Sequence, residues 1–263
     1  TLSLHDALPI LKQNKNYPGV FMLEYSTITN KGDRSVNEDS IAVIPSGKSG
    51  FACILCDGLG GHGMGDVASG CVCDTFRNML LGTTEMSGFL PVALRCAQAN
   101  LMREQIRLNA TRKMKTTAVA LAVDDKKAYV AHIGDSRLYI FRKNKVMTRT
   151  LDHSVPQMLA LCREIREDEI RNHPERSSVL RVMGIEWEKD MFDVMKPVPL
   201  RKCDAFLLCS DGFWELITEE KMCEYLKNSD SADEWLGMMT KEVRKNGKGR
   251  EMDNYSAIAI RNL

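Results

Sequence analysis

Chemistry in this chain is concentrated at Cys56-Asp57-Gly58-Leu59-Gly60-Gly61-His62-Gly63. A carboxylate follows the apolar run Phe51 to Cys56, and four glycines within the next six positions remove side-chain bulk and permit backbone conformations closed to other residues. That combination suits a metal ion or a phosphate group. A glycine-rich turn carrying a surface Asp is the plainer reading of the same letters.

More carboxylates stand in comparable places. Asp211 follows Ala205 to Ser210 and Asp253 precedes Tyr255, so both, like Asp57, lie at the ends of strand-like runs. Glu38 and Asp39 add two more just before Ile41. Oxygen-only donors suit hard cations such as magnesium or manganese, whereas zinc would want more histidine or thiolate. Gathered together, these groups would repel strongly unless cations lay between them; singly, each is also an ordinary capping or turn residue. Arg34 offers a planar fork for phosphate oxygens, and His62 a proton for a departing oxygen. Alone they read as a surface turn residue and a solvated loop histidine, and their adjacency to Glu38-Asp39 and Asp57 is what favours phosphate chemistry.

The elements that must position these residues alternate in kind. Extended, β-branched runs are predicted at Val20 to Thr29, Ser40 to Ile44, Phe51 to Cys56, Thr117 to Val123, Ala128 to Ile133 and Arg137 to Arg142. Others follow at Val146 to Thr150, Met191 to Met195, Asp204 to Cys209 and Tyr255 to Ile260, with Lys143-Asn144 as a hairpin turn. Helical spacing marks Val67, Cys71, Thr75 and Met79, each followed by a second mostly apolar residue, and then Leu90, Leu94, Ala97, Leu101, Gln105 and Leu108. A second helix pair begins near Thr218 and at Ser231, where Ser231 and Glu234 have capping-box spacing before the stripe Trp235, Met239, Val243. Strands interrupted twice by helix pairs do not give the strict alternation of a doubly wound sheet. The pattern implies an α+β fold with antiparallel sheets and helices packed outside.

Composition bounds the rest. A chain of 263 residues with 44% hydrophobic and 27% charged content has ample material for one core, and a net charge of +1 gives no electrostatic case for nucleic acid. Nine cysteines without framework spacing read as reduced residues of an intracellular, cytoplasmic protein. Cys53 and Cys56 have CxxC spacing, but residues three apart in a strand face opposite ways, which disfavours a redox pair. No apolar run reaches the roughly 20 residues that cross a bilayer, so no membrane partner is expected. Residues 1–10, TLSLHDALPI, fit no element and resemble a sequencing-adapter read-through, so they are expected to be a non-native leader.

The motifs Arg34-Ser35-Val36-Asn37-Glu38-Asp39, Asp57-Gly58-Leu59-Gly60-Gly61-His62, Gly134-Asp135-Ser136-Arg137, Ser210-Asp211-Gly212 and Asp253-Asn254, in that order, resemble those of the protein phosphatase 2C family. Asp152-His153-Ser154 and His173 to Gly184 are similar to its remaining signatures, so residues 20–263 are expected to form a single catalytic domain. The resemblance implies a four-layer α-β-β-α sandwich and a stand-alone, bacterial-type, monomeric serine/threonine phosphatase that reverses a kinase. It further implies two manganese or magnesium ions that activate a water, and a third, weaker one. Asp57 would bridge the pair, the Gly58 carbonyl would ligate one ion, and Asp211 with Asp253 the other. Glu38 and Asp39 would act through water, and Asp135 would help hold the third ion. Arg34 would bind the substrate phosphate, and His62 would protonate the leaving alkoxide.

Two departures from the family pattern stand out: Lys115 before Thr116-Thr117, and Arg163 where a glycine usually precedes Ile165 by two residues. Both touch selectivity more than competence; Arg163 could alter substrate approach or third-metal binding, and its side chain is expected to point to solvent. Three rival readings are weaker. Haloacid-dehalogenase chemistry needs a carboxylate where Leu55 stands. A catalytically impaired phosphoprotein-binding module would be expected to have lost a metal ligand, and a sporulation-type phosphatase acting on an anti-sigma antagonist typically carries extra sensory domains.

Overall fold

The computed structural model describes residues 23–45, 50–60, 63–83 and 85–263. The expected leader and His62 both lie outside them. In chain order the strands and helices are β1 (Leu23–Asn30), β2 (Asp39–Pro45), β3 (Phe51–Asp57), α1 (Gly65–Leu80), α2 (Phe89–Arg107), β4 (Ala118–Val123), β5 (Lys127–Ile133), β6 (Arg137–Arg142) and β7 (Lys145–Arg149). They continue with α3 (Val155–Leu161), β8 (Asp193–Val194), β9 (Val198–Pro199), β10 (Ala205–Cys209), α4 (Asp211–Trp214), α5 (Glu219–Lys227), α6 (Ala232–Gly247) and β11 (Tyr255–Asn262).

Two antiparallel sheets result, ordered β1-β11-β10-β6-β7 and β2-β3-β4-β5-β8, with β9 also pairing β5. Period-2 alternation divides each strand between two cores. In β3, Phe51, Cys53 and Leu55 join Val119, Leu121, Leu138, Ile140, Phe206, Leu208, Ile258 and Ile260 between the sheets. The opposite residues Ala52, Ile54 and Cys56 pack with Val72, Phe76, Leu90, Leu94 and Leu101 of α1 and α2. On the far side Tyr139, Phe141, Leu207 and Ala257 pack with Trp214, Trp235, Met239 and Val243 of the later helices. Three apolar layers thus separate four structural ones, as the family resemblance implies. Cys53 and Cys56 lie in different layers, so their spacing builds no pair.

The helices seat as their stripes dictate, with one adjustment. In α1 the inward residues are Ala68, Val72, Phe76 and Leu80, the followers of the predicted series, while Val67 is exposed. Ser231 caps α6 by accepting from the Glu234 amide, and Trp235, Met239 and Val243 are fully buried. Lys143 and Asn144 both take positive φ, +51° and +56°, as the tight hairpin between β6 and β7 requires. Helices α3 and α4 escape the periodicity because they span seven and four residues, too few for a stripe. The expected strand Met191 to Met195 contracts to Asp193–Val194. No helix among the described residues is long and apolar enough to cross a membrane.

Strand registers bring the chemistry to one end of the sandwich. Asp39 at the start of β2 is the partner of Asp57 at the end of β3. Cys209, two residues before Asp211, pairs with both Arg137 and Ala257, two residues after Asp135 and four after Asp253.

Candidate metal centre

Asp57 ends a strand whose last turn of backbone is held on several sides. The Thr117 N–H donates to the Asp57 carbonyl (2.8 Å), the Thr116 hydroxyl donates to the same oxygen (2.9 Å), and the Asp57 N–H donates to Thr117 Oγ1 (3.1 Å). Its carboxyl is raised well above the usual range, first by burial and then by repulsion from Asp211, Asp39 and Asp135. Asp211 is raised by burial and by Asp253, Asp135 by burial and by Asp211, and Asp39 to about 7 by burial, with Asp211 and Asp253 adding to it. Four carboxyls from four separate segments therefore press on one another in one place.

Asp39 shows most directly what the cluster is able to bind. Its Oδ2 accepts from the Ser210 hydroxyl (2.9 Å), whereas its buried Oδ1 has no hydrogen-bond partner among the described residues. A buried carboxylate oxygen is normally satisfied. Hard divalent cations would satisfy it and offset the mutual repulsion, so the donor set fits such ions.

Glycines make room for the fifth acidic group. A Cβ at Gly60 would overlap the Glu38 carboxylate, and one at Gly65 would lie 2.7 Å from Glu38 Oε1. The Glu38 carbonyl accepts from the Gly58 N–H (3.1 Å) and the Ser69 hydroxyl (2.6 Å), and burial raises the Glu38 carboxyl. At the other rim, Arg34 Nη2 donates to Asp253 Oδ2 (2.8 Å).

Sequence reasoning reached Asn254 only within the Asp253-Asn254 motif and gave no role to this residue, which ties these loops together. Asn254 accepts from the Glu38 N–H (2.8 Å) and donates from its amide to the Lys31 (2.8 Å) and Val36 (3.0 Å) carbonyls. Its pairing with Asp253 in sequence was the only available signal. Ser210 and Thr117 are equally silent, since a hydroxyl beside a carboxylate has no distinctive spacing. The structure thus brings together Asp39, Asp57, Asp135 and Asp211, with Glu38, Gly58, Asp253 and Arg34 around them; His62 is not among the described residues. Lys115 lends its carbonyl to the Leu59 N–H (2.9 Å), and Arg163 is exposed with φ +64°, the conformation that suits the expected glycine.

A second polar group stands apart from the carboxylates. His132 and Asp193 face one another across β5 and β8, and His153 stacks on His132 with ring centroids 4.7 Å apart. Donor atoms of the three lie within 4.8 Å of one another, a spacing at which a metal ion could be shared. Burial holds both imidazoles below their usual range, His132 at about 4.

Comparison with known proteins shows the family and the fold. The Protein phosphatase 2C family profile matches residues 29–254. The serine/threonine phosphatase stp of Listeria welshimeri is 31% identical over 240 residues, covering 88% of this chain and 92% of its own length. Among solved structures, serine/threonine phosphatase Stp1 from Staphylococcus aureus superposes with a TM-score of 0.84 at 24% identity, over 96% of this chain and 100% of that one. The catalytic domain of serine threonine protein phosphatase PstP in complex with 2 manganese ions gives 0.74 at 24% identity, over 93% and 100%.

Proposed function

The chain belongs to the protein phosphatase 2C family, and on that premise we propose that its carboxylate cluster hydrolyses phosphoserine and phosphothreonine in proteins by direct attack of water. The observation that carries this reading is the set of four mutually repelling carboxyls around an Asp39 oxygen with no hydrogen-bond partner among the described residues, a donor set that divalent cations would satisfy. Leu55, sealed between the sheets, stands where covalent aspartyl chemistry would need the first carboxylate of its motif.

Two divalent cations, manganese or magnesium, would supply the acidity that makes water a nucleophile near neutral pH. The manganese carried by PstP supports that choice. Asp57 and the Gly58 carbonyl, Asp211 and Asp253 would hold them, Glu38 and Asp39 would orient coordinated water, and Asp135 with Asp211 would serve a third, weaker ion. Arg34 neutralises the non-bridging phosphate oxygens. As the water oxygen bonds to phosphorus, the bond to the serine or threonine oxygen breaks, and His62 gives that oxygen its proton. The substrates on this reading are the products of a serine/threonine kinase in the same compartment, and the enzyme acts as a cytoplasmic monomer.

Hydrolysis of a phosphothreonine peptide with manganese, with chelator and with Asp211→Asn tests the proposal. Activity should vanish on chelation, return with manganese, and fall roughly 10²-fold or more in Asp211→Asn, as when a charge-stabilising group is lost. Turnover surviving both chelation and the substitution would overturn it.

A further inference from the structure

His153 holds Gly134 by both of its backbone polar groups. The His153 N–H donates to the Gly134 carbonyl (2.9 Å), and the Gly134 N–H donates to His153 Nδ1 (3.2 Å). Gly134 needs holding: its φ is +102°, and a Cβ there would sit 2.6 Å from the Thr117 Cβ, so neither a side chain nor a relaxed backbone is open to it. The next residue is Asp135, whose carbonyl accepts from Trp214 Nε1 (3.0 Å) and whose carboxyl feels Asp211. Behind the turn, Arg137 forms a two-pronged pair with Asp152 (2.9 and 2.7 Å), the residue before His153. Residues 152–153 therefore grip the segment 134–137 on both sides of Asp135.

The contact also fixes the chemistry of the ring. A nitrogen that accepts a hydrogen bond carries no proton, so neutral His153 bears its proton on Nε2. Nε2 points toward Asp193, 3.3 Å from Oδ2 but too oblique for a hydrogen bond. A metal ion on Nε2 would force the proton onto Nδ1, setting one N–H against another at Gly134. Proximity to His132 and Asp193 notwithstanding, this donor pattern opposes a metal-ligand role.

We infer that His153 is a positioning residue, an Nδ1 acceptor that locks the Gly134 backbone and so sets the direction of the Asp135 carboxylate toward the third-cation position. The inference rests on the reading of Asp135 as a ligand for that weaker ion.

Asn and Gln separate the two roles, because an Asn carboxamide can place an acceptor where Nδ1 lies, whereas Gln reaches the Nε2 position. In metal-free protein, the Gly134 amide should exchange slowly in the wild type and in His153→Asn, and about tenfold faster in His153→Gln. Nitrogen-15 spectra of the unsubstituted protein, which need no variant to fold, should show His153 protonated at Nε2 alone. Manganese titration followed by paramagnetic resonance should show the weak site loosened severalfold in His153→Gln, as in Asp135→Asn, and unchanged in His153→Asn. Slow exchange in His153→Gln, a proton on Nδ1, or saturable zinc binding lost in Asp193→Ala would each overturn the inference. If Asp135→Asn leaves the manganese titration unaltered, the reading of Asp135 fails, and the exchange data still judge the clamp on Gly134.

Discussion

Arg34 Nη2 lies 2.8 Å from Asp253 Oδ2, yet the two side chains remain 54% and 45% exposed. So open a pair adds little to stability. On the proposed function, a cation held by Asp253 would compete with the guanidinium and free the Arg34 fork for the phosphate. Arg34→Lys should therefore lower kcat/KM on a phosphothreonine peptide by roughly tenfold or more, since an ammonium cannot reproduce the fork, with Arg34→Ala lower still. Manganese affinity should hold or rise in both, because a competitor for Asp253 is gone. Steady-state kinetics and a manganese titration on the same preparations check this, and a matching fall in metal affinity would refute it.

The raised carboxyls make the metal-free protein pH-sensitive in a definite direction. Between pH 6.5 and 8 unfolded Asp residues are already ionised, whereas folded Asp39, raised to about 7, still binds a proton over the lower part of that window, and burial raises Asp57 and Asp135 in the same direction. The folded state holds more protons, so its stability is fully present at low pH and is lost as pH rises through the folded values. The buried histidines oppose this trend only below about 6.5, where they would protonate on unfolding. Calorimetry on metal-free protein should show Tm falling by several degrees across the window, at about 2–4 °C per kcal/mol for a domain of this size. Manganese should raise Tm more at pH 8 than at pH 6.5, and Asp39→Asn should flatten the metal-free curve.

Much of this was legible in the sequence because it lies at the junction of two periods. Asp57 is visible as the first polar residue after a run buried on both faces, and Asp39, Asp211 and Asp253 as acids flanking other runs. The stripe of α1 reads one residue out of phase because Val67, Cys71 and Met79 are apolar without being fully buried, so hydrophobicity alone widens the face. Asn254, Ser210 and His153 leave no such mark. Their partners are 216, 171 and 19 residues away in sequence, and a hydrogen bond across that separation has no period.

Glycine space around Glu38 makes a sharp comparison. A methyl at Gly60 would overlap the Glu38 carboxylate, whereas one at Gly70, inside α1, meets nothing nearer than 4.0 Å. Gly70→Ala should gain about 0.5–1 kcal/mol from helix propensity and keep full activity. Gly60→Ala should displace Glu38, weaken manganese binding and cut turnover by tenfold or more, an order-of-magnitude cost in line with losing an outer-shell group. Thermal melts and metal titrations of the two variants decide it, and equal behaviour would show that Glu38 has no part in the site.

His62 can be tested through the substrate. A threonine alkoxide is a poor leaving group and needs a proton as its bond to phosphorus breaks, whereas a nitrophenolate, a far weaker base, departs without one. His62→Ala should therefore slow hydrolysis of a phosphothreonine peptide by about 10²-fold or more, the usual contribution of a positioned acid, and slow nitrophenyl phosphate hydrolysis much less. On the same reading, loss of Asp57 would depress both substrates, because water activation and charge neutralisation are needed whatever the leaving group. The ratio of the two rates, measured at saturating manganese, is thus the discriminating quantity. A ratio unchanged by His62→Ala would assign the leaving-group proton to another residue, and the glycine-rich loop would then serve only to carry Asp57 and admit Glu38.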